Sequence, residues 1–299
     1  MKSEKKWTSR SIGSRLQHGV FYLLIRTMGR RPAYILLFFV ALWYTLRPMT
    51  RARSAPYITR RFPDAGHIGR LVHCFRLNWN FGLTLVDRAA SGILGQFSLA
   101  ASPEDEKTLH ALLLEGRGLI LLTGHAGCWQ TSIAGLESAG RPVHVVMHRA
   151  TDDVDRHYFE HSGGETPFRI IDPLGYLGGT LEMFDALKKG HILCLMGDRA
   201  FGSDRNTISV PFLGGNVNLP FSAYRLASAT SAQILVFFSR RIGPGRTIHE
   251  IARIISVPGG RGRSGQDYLP YVREFALALE ELTAKAPYQF FNFYDMWEN

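Results

Sequence analysis

The chain has 299 residues, 45% hydrophobic and 20% charged, a composition that marks a globular protein and excludes a disordered one. Its net charge is +10, yet Met1 to Arg61 holds 13 Lys or Arg against the single acid Glu4, and the other 238 residues hold 22 basic and 24 acidic side chains. The positive excess is therefore N-terminal and flanks apolar runs instead of forming a basic groove with stacking aromatics, which excludes a nucleic-acid binder.

The basic segment carries two apolar runs, Val20 to Ile25 and Ala33 to Leu46, separated by Arg26, Arg30, Arg31 and Pro32. The second is 14 residues long, short of the roughly 18 needed to cross a bilayer core. Arginine flanks with Tyr34, Trp43 and Tyr44 suit the headgroup level of an anionic cytoplasmic leaflet. The expectation is a helical membrane-associating segment over residues 1–61, lying in the interface, followed by one domain over 62–299; a buried core helix and a tilted single span are the alternatives. A cleaved signal peptide fits poorly, because Arg47, Arg51 and Arg53 follow the run. Three widely spaced cysteines, Cys74, Cys128 and Cys194, indicate a reducing compartment with neither a disulfide framework nor a structural zinc site.

Residues Ser54 to Ala90 show helical apolar spacing, and Ser102-Pro103-Glu104-Asp105-Glu106 is a helix start, with a Ser N-cap, Pro at N1 and acids in the first turn. Strands are then predicted at Gly118–Leu122, Val143–His148, Phe168–Ile171, Ile192–Met196, Ile208–Phe212, Gln233–Ser239 and Ile248–Val257. Helices are predicted at Trp129–Ala139, Leu177–Lys188, Phe221–Thr230 and Gln266–Lys285. This alternation predicts an α/β fold, a mixed sheet covered by helices. The Gly-rich stretch Gly259 to Gly265 has neither the Walker pattern nor G-x-G-x-x-G, so no nucleotide cofactor is implied. His144 and His148 share a strand face and read as ordinary, partly buried histidines.

One segment carries chemistry. In Thr123-Gly124-His125-Ala126-Gly127-Cys128-Trp129-Gln130 an apolar strand stops at a turn, and its histidine projects from the strand end. Imidazole there can take a proton from a hydroxyl near neutral pH. Gln130 can reach back to the ring, where a carboxylate would be usual. Gly127 and the amides at Cys128 and Trp129, opening the next helix, offer an oxyanion hole. Cys128 as a nucleophile is the weaker reading, since buried cysteine behaves mostly as a small hydrophobe.

Together with Arg149, Met196-Gly197-Asp198-Arg199, Val210-Pro211-Phe212-Leu213-Gly214-Gly215 before a Pro-initiated helix, and the aromatic box Tyr288 to Tyr294, this set resembles the lysophospholipid acyltransferase superfamily. Within it the set resembles the lipid A late acyltransferases and their bacterial relatives, over roughly Val20 to Trp297. The resemblance implies a glycerolipid-acyltransferase-like fold and transfer of an acyl group from a thioester, on acyl carrier protein more than on coenzyme A, to a hydroxyl of a lipid or glycolipid. It implies His125 as general base, Gln130 at the position of the family's acid, Asp198 as a recurring acid beside the site, and Arg149 and Arg199 as contacts for anionic groups. It further implies no metal or tightly bound cofactor, and a place on the cytoplasmic face of the bacterial inner membrane. Gln130 departs from the pattern: its amide can hold the imidazole tautomer but brings no charge, which Asp198 or one of Asp152, Asp153 and Asp155 would have to supply. Two readings stay open, a working acyltransferase and an impaired relative that binds lipid or a partner.

Overall fold

The computed structural model describes residues 14–129, 136, 140–148, 168–200 and 206–297. Four helices open the fold: α1 Arg15–Met28, α2 Arg30–Leu46, α3 Pro48–Arg61 and α4 His67–Leu94. A capping box starts α1, with Ser14 and Gln17 each accepting the other's backbone N–H. Pro48 at the first position of α3 ends the run of α2, and the two helices meet at 85°. Among the described residues no single helix is long and apolar enough to cross a membrane; the bent α2–α3 pair passes by length and composition alone.

A small core of Ile25, Ala33, Leu37, Leu83, Val86 and Ala90 joins α1, α2 and α4. The crossing is close at Gly82, where a Cβ would stand 2.3 Å from Leu37. Outward, α1 and α2 expose Leu16, Leu23, Ile35, Phe39 and Trp43. Tyr57 and Ile58 of α3 are buried in the same core as the sheet.

The sheet has seven strands: β1 Ser98–Ala101, β2 Leu119–Thr123, β3 Val143–Val146, β4 Arg169–Ile171, β5 Ile192–Met196, and two later strands. A separate antiparallel hairpin is formed by β6 Thr207–Phe212 and β7 Gly215–Pro220, and the sheet is completed by β8 Gln233–Gly243 and β9 Arg246–Ile255. The order is β1-β9-β8-β2-β5-β3-β4, parallel throughout except for the β8–β9 pair. On β2 the pleat divides the chain between two cores, with Ile120 and Leu122 on one face and Leu119 and Leu121 on the other. The first face is covered by α7 Ser222–Thr230, α8 Leu269–Lys285 and the C-terminal aromatics. The second receives α5 Pro103–Leu114, which the Ser102 side chain caps as expected; α6 Thr180–Lys188 follows β4 and sends Met183 and Leu187 into the first core.

Every predicted strand is present, within a few residues at its ends. Two strands, β1 and β7, lie outside the predicted set. The stretch Val210 to Gly215 ends β6 in a two-residue turn with Leu213 and Gly214 both at positive φ; β7 intervenes, and the helix expected at Phe221–Thr230 follows from Ser222. The predicted helix Trp129–Ala139 falls largely outside the described residues. All three cysteines are buried, and among the described residues none is in a disulfide.

Candidate active site

Strand register builds the site. Thr123 is the register partner of Met196, and the ladder continues one step with Gly197 N–H donating to the Thr123 carbonyl at 2.7 Å. His125 and Asp198 therefore leave neighbouring strand ends side by side. His125 Nδ1 lies 2.9 and 3.0 Å from the two Asp198 carboxylate oxygens. The imidazole is 20% exposed and the carboxylate 1%. Burial alone would raise the Asp198 carboxyl, but His125 and the Arg199 guanidinium outweigh it and hold the group at about 2. An ionised carboxylate only accepts, so Nδ1 carries the proton and Nε2 is the basic nitrogen.

The resemblance gives Arg199 an anionic group of a ligand to meet. It is 7% exposed, with Nε 3.4 Å from Asp198, Nη2 donating to the Phe291 carbonyl at 2.8 Å, and the guanidinium 4.9 Å from the Tyr294 ring centre. Burial pushes the Tyr294 phenol up to about 12, against the pull of Arg199. In this place the Arg199 charge faces the buried Asp198 carboxylate.

The His125 turn is fixed from below. Gly127 has φ +56, and a Cβ there would stand 1.7 Å from the Ser239 carbonyl, so only glycine fits between the turn and β8. Its N–H donates to the Gln289 carbonyl at 2.8 Å, which removes that amide from the oxyanion donors the sequence offered. Phe291 N–H donates to the His125 carbonyl at 2.8 Å, and Ala126 bridges Phe290. Sequence reasoning takes Tyr288 to Tyr294 as an aromatic closure and misses this stitching, since backbone pairing across more than 160 residues leaves no local periodicity. Gln130 and Arg149, and with them Asp152, Asp153 and Asp155, lie outside the described residues. His144 and His148 stay apart from the site: His144 pairs with His191 at 3.0 Å and His148 with Asp172 at 3.2 Å.

An α/β sheet with a His–carboxylate pair at the carboxyl ends of its central strands is the layout of an enzyme that works on a ligand at the sheet's edge. The chain belongs to the bacterial lipid A biosynthesis acyltransferase family, which matches residues 91–299. It is a lipid acyltransferase. A similar solved structure is the crystal structure of the 1-acyl-sn-glycerophosphate (LPA) acyltransferase PlsC from Thermotoga maritima, at 12% identity over 85% of this chain and 98% of that one, with a TM-score of 0.38. No curated protein matches the chain.

Proposed function

We propose that the protein moves a fatty acyl group from an acyl thioester, carried by acyl carrier protein in preference to coenzyme A, to a hydroxyl of a lipid or glycolipid, at the cytoplasmic face of the bacterial inner membrane. The observation that carries the mechanism is the 2.9 Å contact between His125 Nδ1 and Asp198. With Nδ1–H held by the carboxylate, Nε2 takes the proton of the acceptor hydroxyl as its oxygen attacks the thioester carbonyl. The tetrahedral intermediate collapses with loss of the C–S bond, and the imidazolium returns its proton to the departing thiolate. Asp198 stabilises the imidazolium through charge, so the amide at Gln130 is not asked to. A membrane location is supported by the basic N-terminal segment and by the apolar faces that α1 and α2 turn outward. A carrier protein of acidic surface would be drawn to that basic rim. No metal or resident cofactor enters these steps.

The test is acyl transfer in detergent-solubilised membranes, with purified wild type and His125→Ala, radiolabelled acyl carrier protein thioester and a total bacterial lipid extract. Label entering a lipid only with wild type is the expected result; equal transfer by both proteins would sink the mechanism.

A further inference from the structure

We infer that Gln289 is a positioning residue for the His125–Asp198 pair, acting through three consecutive residues, Gln289 to Phe291, that hold both halves of the pair at once. The inference rests on the catalytic reading above for its consequence in turnover, but not for its geometry.

Gln289 ends the short helical turn Pro287–Gln289 after α8. Its side chain does what a neighbouring strand would do: Oε1 accepts from Arg241 N–H at 2.8 Å, and Nε2 donates to the Arg241 carbonyl at 2.9 Å. Both backbone groups of one β8 residue are thus satisfied by a single amide. The backbone of Gln289 then takes the Gly127 N–H, and two residues on Phe291 takes the His125 carbonyl with its own N–H. The Phe291 carbonyl receives Arg199, which faces Asp198. Gln289 to Phe291 therefore grip the His125 turn along one edge and the Asp198 side along the other.

What fixes this segment laterally against β8 is the Gln289 amide. Arg241 is itself immobilised, since its guanidinium meets Asp87 of α4 at 2.6 Å. An apolar side chain of the same length at 289 would keep the packing while leaving the Arg241 N–H and C=O without these partners. The segment would then be free to slide by a fraction of an ångström, and a His–carboxylate contact at 2.9 Å tolerates little displacement.

The experiment compares wild type with Gln289→Met in the full chain, in detergent. The expected result is an unchanged KM for the acyl carrier protein thioester, a kcat lower by about 10- to 100-fold, and faster exchange of the His125 Nδ1-bound proton in imidazole NMR, with the His144 signal unmoved as an internal control. The NMR readout needs no turnover. An unchanged His125 signal overturns the positioning role whatever the kinetics; a changed signal in a protein whose turnover survives His125→Ala supports positioning and overturns the catalytic reading. Should Gln289→Met not fold, Gln289→Glu keeps the length and the acceptor toward Arg241 N–H but loses the donor, and an intermediate kcat is expected; kcat equal to wild type overturns the inference.

Discussion

His125 and Asp198 each stand two residues beyond paired strand-end residues, Thr123 and Met196, so sheet register sets imidazole and carboxylate side by side, at 2.9 Å. Position along the chain, 73 residues apart, gives no hint of it. Asp198→Asn removes the charge and permits the wrong tautomer, the defect that costs a serine-protease triad about 10⁴ in kcat. A loss of about 10³ or more is expected in single-turnover acyl transfer. The fold should weaken as well, because the buried carboxylate that Arg199 faces loses its charge. Retained turnover in a folded Asp198→Asn protein would return the acid's role to Gln130 or another group.

Gly127→Ala separates local strain from steric conflict. At φ +56 any side chain is strained, by about 1 kcal/mol, but here the new methyl also meets the Ser239 carbonyl and forces the His125 turn off β8. Gly116 has φ +76, and an added Cβ there meets nothing within 4 Å, so Gly116→Ala bears only the strain. We expect Gly127→Ala to lose about 100-fold in kcat and Gly116→Ala to keep wild-type kcat with a slightly lower Tm. Equal kinetics in the two variants would contradict the account of the turn.

The N-terminal helices are tied to the sheet by charge. Asp87 is 8% exposed and receives Arg241 at 2.6 Å, the Tyr34 hydroxyl, and Arg30 at 3.9 Å. Removing one member of a buried pair costs about 3–5 kcal/mol, mainly because the other is left uncompensated. Arg241→Met should therefore lower Tm by roughly 10 °C, and the double variant Asp87→Leu, Arg241→Met should recover part of that loss. A double variant no more stable than the single would show that the pair's value lies elsewhere.

What is legible in the sequence is what local pattern encodes. Ser102 followed by Pro103 and three acids marks a helix start without reference to the rest of the chain, and the unbroken apolar run ending at Leu122 marks a strand buried on both faces. His125 is visible because a strand end announces itself in Thr-Gly. Its partner is named only through the resemblance, Asp198 beside Asp152, Asp153 and Asp155, and it is the β2–β5 register that brings Asp198 to the ring. The contacts of Arg199 with Phe291 and Tyr294 are hidden for the same reason, since they form only once the C-terminal segment has packed. Strand β7 escapes because Asn216 and Asn218 alternate with Val217 and Leu219 in a segment too short and polar to read alone.

His249 on β9 sets a pH dependence. Burial lowers it to about 4 from an ordinary value of 6.5, and its ring stacks 6.0 Å from Phe237. The folded protein keeps the ring neutral while the unfolded chain protonates it, so stability is lost as pH falls from about 6.5 toward 4 and is unaffected above that window. His249→Phe removes the proton linkage and keeps a flat ring on Phe237. In urea unfolding, the variant's stability relative to wild type should rise on going from pH 7.5 to pH 5. A difference independent of pH would show that His249 titrates alike in both states.

The apolar face of α2 decides the membrane reading. Its inner side, Ala33, Leu37 and Ala41, is buried against α4, while Phe39 and Trp43 are 62% and 61% exposed on the outer side. Arg47 sits 5.8 Å from the Trp43 ring, a cation held beside an aromatic as at a headgroup layer. Burying one such ring in lipid is worth about 1.5–3 kcal/mol, so Phe39→Asp or Trp43→Asp should each weaken partition into phosphatidylglycerol-containing vesicles by about tenfold or more. Salt should weaken it further through the basic flanks, and zwitterionic vesicles should show a smaller salt effect. Co-sedimentation measures both. If partition is indifferent to the two substitutions but falls with salt, the basic residues bind the surface while α2 stays out of it, and the interfacial placement of this helix is wrong.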